Sequence, residues 1–111
     1  MVTITRDEFE KIEIRVGTIT KVEEYPEAKK PAYKLCADFG KFGIKKSSAQ
    51  ITKLYKKEDL IGKQIIRIIN FYPKQIGKFI SEFLTTGFVG ENEEVILAQP
   101  ERKVKNGSKL A

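Results

Sequence analysis

The chain reads as an all-β domain, and three observations carry that reading. Apolar and polar residues alternate in short runs. A glycine, Gly17, interrupts the first run and shifts its phase. A short helical signal falls between the third and fourth runs.

Taken in order, Thr5 and Glu8 have the spacing of a capping box, which predicts one helical turn over Arg6 to Lys11 with Phe9 packing down. Ile12, Ile14 and Val16 alternate with Glu13 and Arg15, a half-buried first strand. Apolar positions resume after Gly17 at Ile19 and Val22 in shifted phase. A bulge or bend at Gly17 would let one long strand serve both halves of a small barrel. The two prolines of EEYPEAKKPAY predict a loop.

Tyr33, Leu35, Ala37 and Phe39 alternate with Lys34, Cys36 and Asp38, giving a second strand. Gly40 and Lys41 read as a tight turn into a third strand over Phe42 to Ser48. A short helix is predicted from Ala49 to Tyr55, capped by Ser47 or Ser48, with Gln50 completing the box. The apolar run Gln64 to Asn70 is a buried strand, Ile80 to Thr86 and Glu94 to Gln99 follow, and Val104 to Leu110 makes a last short strand. Some five strands with a helix between the third and fourth fit a five-stranded Greek-key barrel of the OB type. The pattern alone also fits another small barrel or a sandwich.

Composition narrows the function. A length of 111 residues predicts one domain spanning the chain, large enough for a core without metals or disulfides. No apolar run approaches the roughly 20 residues of a membrane span, so no membrane insertion is expected. The start MVTITRDEFEK has no signal-peptide pattern, which makes the cytoplasm the expected compartment. The lone Cys36 sits in the apolar run AYKLCADF and reads as a small buried hydrophobe in a reducing compartment.

Histidine is absent, which removes Cys-His and Ser-His nucleophile pairs and the usual His-containing zinc site. No phosphate loop or dinucleotide turn is present, and Ser47 and Ser48 beside Lys45 and Lys46 make a poor dyad because neighbours on a strand face opposite ways. Neither an enzyme nor a cofactor is expected.

Twenty-one Lys and Arg against fifteen Asp and Glu give a net charge of +6. Such a balance suggests a polyanion bound through its phosphates, although Lys also serves simply as a solubilising residue. Arg supplies bidentate forks whereas Lys is a point charge, and only four of the cations are Arg. Backbone or shape recognition is therefore favoured over sequence readout.

Several blocks then point to a family. FEKIEIRVGTI (Phe9 to Ile19) resembles the F-x-K-x-[DE]-I-R-V-G-x-I opening of the tRNA-binding-domain family, and YKLCADFG (Tyr33 to Gly40) its second strand. SSAQITKLY (Ser47 to Tyr55), LIGKQIIRIINF (Leu60 to Phe71) and the ending LAQPERKVKNGSKLA are similar to its later blocks. SSAQI and N-F-x-P resemble the CsaA branch in particular. The chain departs from the tRNA binders at Phe83 and Leu84, where they have Gly and Met, and at Lys78, where Gly usually stands and Gly77 lies one position earlier.

The resemblance implies an OB-fold homodimer in the cytosol. CsaA proteins are described as export-related chaperones of unfolded preproteins, and their relatives bind tRNA by shape. A dedicated structure-specific tRNA binder without chaperone role is the alternative. For tRNA or another structured RNA, the matching positions are Lys34, Asn70, Lys74 and Ser81, with Ser48 and Gln50 shaping the neighbouring loop. Lys45 and Lys78 are further cations near the motifs. Asn70 and Ser48 also have structural readings, as a strand-end clip and a helix cap. Phe71, Tyr72, Ile76 and Phe79 cluster around Pro73 as candidates for peptide binding, or for core or dimer packing. The terminal extensions, Val104 to Leu110 and the turn near Phe9, are expected to form the two-fold interface.

Overall fold

The computed structural model describes residues 1–111, apart from the side chains of Leu84 and Thr85. At the N-terminus the capping box forms as predicted. Glu8 N donates to Thr5 Oγ1 at 3.2 Å and Thr5 N to Glu8 Oε1 at 3.0 Å, fixing α1 (Arg6–Glu10). No residue of α1 is buried, and Phe9 is only half-buried.

β1 (Ile14–Glu24) is the spine of the domain. Its first half pairs antiparallel with β4 (Gln64–Ile68), Ile14 opposite Ile68 and Thr18 opposite Gln64. Its second half pairs with β2 (Tyr33–Asp38), Thr18 opposite Asp38 and Glu24 opposite Tyr33. β3 (Ile44–Ala49) pairs with β2, and β7 (Leu84–Thr85) with β4, giving one antiparallel sheet in the order β3-β2-β1-β4-β7. Two hairpins complete the chain: β5 (Lys74–Ile76) with β6 (Phe79–Ser81), and β8 (Gly87–Val89) with β9 (Val95–Leu97).

The domain is thus mostly β and antiparallel, as the alternation predicted. Among the described pairings no ladder joins β3 to β7, so the expected five-stranded barrel is not closed by a continuous sheet. A backbone bond from Glu82 N to Lys46 O at 2.8 Å and serine hydroxyls bridge the gap.

Burial alternates along β2 as predicted, with Tyr33, Leu35 and Ala37 inside and Lys34, Cys36 and Asp38 half-buried. Cys36 accordingly lies on the outer face and is not the core residue expected of it. Ile19, Leu35, Phe39, Ile51, Leu60 and Ile65 fill the core, and Phe39 meets Phe83 edge-on with centroids 5.3 Å apart. Each such side chain contributes roughly 1.5–3 kcal/mol on leaving water.

Several expectations are corrected. The register of β1 slips between Ile19 and Lys21, so the irregularity sits at Thr20. Gly17 instead makes room for a ring. A Cβ there would lie 2.7 Å from Phe39 Cε1, so only a bare backbone fits beneath Phe39. The helix expected over Ala49 to Tyr55 is displaced to α2 (Lys57–Leu60). Ala49 ends β3, and Ala49 and Ile51 are buried in the core. Ser47 and Ser48 cap no helix because both lie within β3, where the Ser47 hydroxyl donates to Phe83 O and the Ser48 backbone N–H to Ser81 Oγ.

The strand expected over Ile80 to Thr86 breaks into β6 and β7 around Glu82 and Phe83. Val104 to Leu110 is no strand. It instead hydrogen-bonds along β1, Gly107 N to Val16 O at 2.7 Å and Leu110 N to Ile14 O at 2.9 Å, with one bridge between Arg15 and Lys109. That segment covers the β1 edge that β2 leaves open.

Candidate nucleic-acid interface

The β5–β6 hairpin carries the site. Ile76 faces Phe79 across its turn, and Gly77 has φ +62° while Lys78 has no positive φ, as a type II′ turn requires. The shifted glycine of the family pattern thus has a local cause: it is the turn residue of a tight hairpin. A Cβ on it would come 2.9 Å from the Tyr25 hydroxyl, which donates to Ile76 O and pins the turn to the β1–β2 loop.

Four predicted residues fall into one row across four strands. Lys34 on β2 is opposite Ser48 on β3. Ser48 N donates to Ser81 Oγ on β6 at 2.9 Å, and Ser81 is opposite Lys74 on β5. A lysine therefore stands at each end, with two serines between. Ser81 Oγ lies 3.3 Å from Ser47 Oγ, which donates to Phe83 O at 3.0 Å. Ser47 and Ser81 are buried, so their hydroxyls hold hairpin and sheet together.

A groove of about 280 Å³ runs beside this row, lined by Ser48, Lys74 and Ser81 together with Phe71, Tyr72 and Ile76. A neighbouring groove shares Ser48, Lys74 and Ile76 and adds Gln50. Lys34, Lys78 and Phe79 line a third, next to Tyr25. Asn70 lies apart. Its Oδ1 accepts from Glu13 N at 3.0 Å and its Nδ2 donates to Lys11 O at 2.7 Å, a clip between β4 and the start of β1.

Two of the lysines lie over aromatic rings. Lys34 Nζ lies 4.7 Å from the Tyr25 centroid and 5.4 Å from that of Phe79, and Lys46 Nζ is also 5.4 Å from Phe79. Among the described residues no carboxylate lies within ion-pair distance of Lys34, Lys46, Lys74 or Lys78. Sequence reasoning named Lys45 among the cations near the motifs and did not name Lys46 there. The period of two could have separated them: Lys46 shares the parity of Ser48, whereas Lys45 shares that of buried Ser47 and Ala49. The Met-to-Leu84 departure lies outside the described side chains.

What this arrangement can do is hold an anionic backbone across a wall of β-strands, with exposed aromatic rings at one border. Comparison with known proteins agrees in kind. The fold superposes on the CsaA chaperone of Bacillus anthracis str. Ames with a TM-score of 0.94 at 45% identity, covering 99% of this chain and 100% of that one. For the CsaA chaperone of Picrophilus torridus the values are 0.91 and 50%, over 98% and 100%. A MetRS-related protein of Pyrococcus horikoshii gives 0.87 at 28% identity, with both chains covered fully.

The methionine–tRNA ligase of Pyrococcus horikoshii is 33% identical over 94% of this chain, which spans only 14% of the ligase. These likenesses place the chain among binding modules rather than enzymes. Residues 14–109 match the family described as "Putative tRNA binding domain", and the chain belongs to that family.

Proposed function

We propose that the chain binds tRNA or another structured RNA along the Lys34–Ser48–Ser81–Lys74 row. The observation that carries this reading is the row itself, two lysines that form no ion pair among the described residues at the ends of a continuous polar track, the Glu23 carboxylate opposite Lys34 being taken by Lys21. Phosphates would sit at Lys34, Lys46 and Lys74, Gln50 would shape the adjoining groove, and Ser81 and Asn70 would act by holding the surface in place. With 17 Lys and 4 Arg, recognition would be of backbone and shape. Mapping amide shifts by NMR during a tRNA titration tests it. The reading expects perturbation along β2, β3 and the β5–β6 hairpin; shifts confined to other surfaces would refute it.

A chaperone role beside it is favoured by a specific observation: Phe71 is 54% and Tyr72 97% exposed beside half-buried Ile76 in one groove, and half-buried Phe79 pairs with Ile76 across the hairpin. Large rings held in water suit varied unfolded segments, such as preproteins. The likeness to two CsaA chaperones over their full lengths supports this. It equally supports an OB-type barrel in which the serine seam stands in for the missing ladder.

A homodimer is part of the same proposal. α1 buries none of its residues, Val2 and Ile4 just before it stand exposed, and so does Leu110, whose backbone bonds to the start of β1; a second copy would cover these residues. We place the protein in the cytoplasm; no helix among the described residues is long and apolar enough to cross a membrane.

A further inference from the structure

Arg67 sits in the middle of β4 with 0% of its surface exposed. Its Nη1 donates to Ile66 O at 2.8 Å, Thr86 O at 3.1 Å and Thr86 Oγ1 at 3.4 Å. Its Nε and Nη2 meet no acceptor among the described residues. No carboxylate pairs with it there either, and the ionisable side chain that acts on it is Tyr55, a phenol.

The charge persists despite this. Burial pulls the guanidinium down to about 10, still well above neutrality. A buried cation without a counter-charge is among the least favourable arrangements a small domain can hold. The carbonyls on Nη1 answer only one end of the group. Nε and Nη2 lie along one edge of the plane, where two near-parallel N–H bonds make the fork that chelates anions.

Enclosure decides what that fork can take. Arg67 is fully buried and lines none of the three grooves around the lysine row, so of the anions such a fork chelates a monatomic one suits it better than a phosphate or a peptide carboxylate. An ion would exchange by local opening of the sheet, and the shortest ladder on it is the two-residue pairing of β7 that places Thr85 opposite Arg67.

We propose that the Nε–Nη2 edge of Arg67 is a buried site for a monatomic anion, chloride under ordinary conditions, which completes the core around β4.

Two measurements test it. Crystals of the wild-type protein soaked in bromide should show an anomalous peak on the Nε–Nη2 edge; a water there without anomalous signal would overturn the proposal. Unfolding should also be followed as chloride replaces gluconate at constant ionic strength. Above half-saturation the wild-type folding constant should rise roughly tenfold for each tenfold rise in chloride. The Arg67→Met variant should not respond, and an equal response in both proteins would also overturn it. If Arg67→Met fails to fold, the bromide crystal decides alone.

Discussion

Ser48 and Ser81 meet across the seam between β3 and the β5–β6 hairpin, the Ser48 N–H donating to Ser81 Oγ at 2.9 Å. With Ser47 Oγ donating onward to Phe83 O, the serines replace the strand ladder that joins neighbours elsewhere in the sheet. They also set the height of the hairpin over β2 and β3, and with it the spacing of Lys34 and Lys74.

Ser81→Ala removes the acceptor and leaves the Ser48 amide with a lost partner in a half-buried place. A cost of about 1–3 kcal/mol is expected, read as a fall in the urea midpoint. RNA affinity should drop less than on loss of a row lysine. An unchanged midpoint would show the seam to be unimportant.

Gly17→Ala drives a methyl into the Phe39 ring, whose nearest atoms stand at 2.7, 2.8 and 3.0 Å from the added carbon. Overpacking of this kind costs about 1–3 kcal/mol. Combined with Phe39→Leu the two losses should fall short of their sum, because the smaller side chain relieves the contact. Simple additivity in denaturant unfolding would contradict the proposed contact.

Glu13 anchors the C-terminal segment. Its carboxylate pairs with Arg15 at 2.6 Å and Lys109 at 3.1 Å, and Arg15 first, then Lys109, hold it below its ordinary value of 4.5. A carboxyl depressed in the folded state stabilises above its unfolded pKa and loses that contribution as pH falls through the folded one. Wild type should therefore lose more stability than Glu13→Gln between about pH 6 and about pH 3, the two converging at the acid end. Parallel curves would show that the Glu13 pairs contribute nothing to stability.

Phe71→Ser with Tyr72→Ser should abolish any suppression of client aggregation while leaving the salt dependence of RNA binding in place. If both activities fall together, rings and lysines form one surface. If aggregation is still suppressed, the exposed rings are not the chaperone site.

The strands of this domain were legible because their alternation reports burial directly, as in Tyr33, Leu35, Ala37 and Phe39. The capping box was legible because it is local, needing only Thr5 and Glu8. The helix was misplaced because Ser47 and Ser48 have a cap's chemistry, and only the distant Ser81 and Phe83 decide that they serve a seam. Gly17 read as a bulge for the same reason, since Phe39 lies 22 residues away in sequence. Arg67 was hidden in the apolar run Ile65 to Ile69, where one cation looks like an outward-facing residue. At the site, motif resemblance found both ends of the row, while Lys46 required the strand register.

The salt dependence of tRNA binding tests the row most directly. Titrations at several salt concentrations would compare wild type, Lys34→Ala/Lys74→Ala, and the control Lys103→Ala/Lys105→Ala on the C-terminal segment. Loss of two phosphate contacts should weaken binding and reduce the slope of log affinity against log salt by about two. The control should leave the slope where it was. An unchanged slope in the Lys34/Lys74 variant, or an equal fall in the control, would contradict the proposed interface.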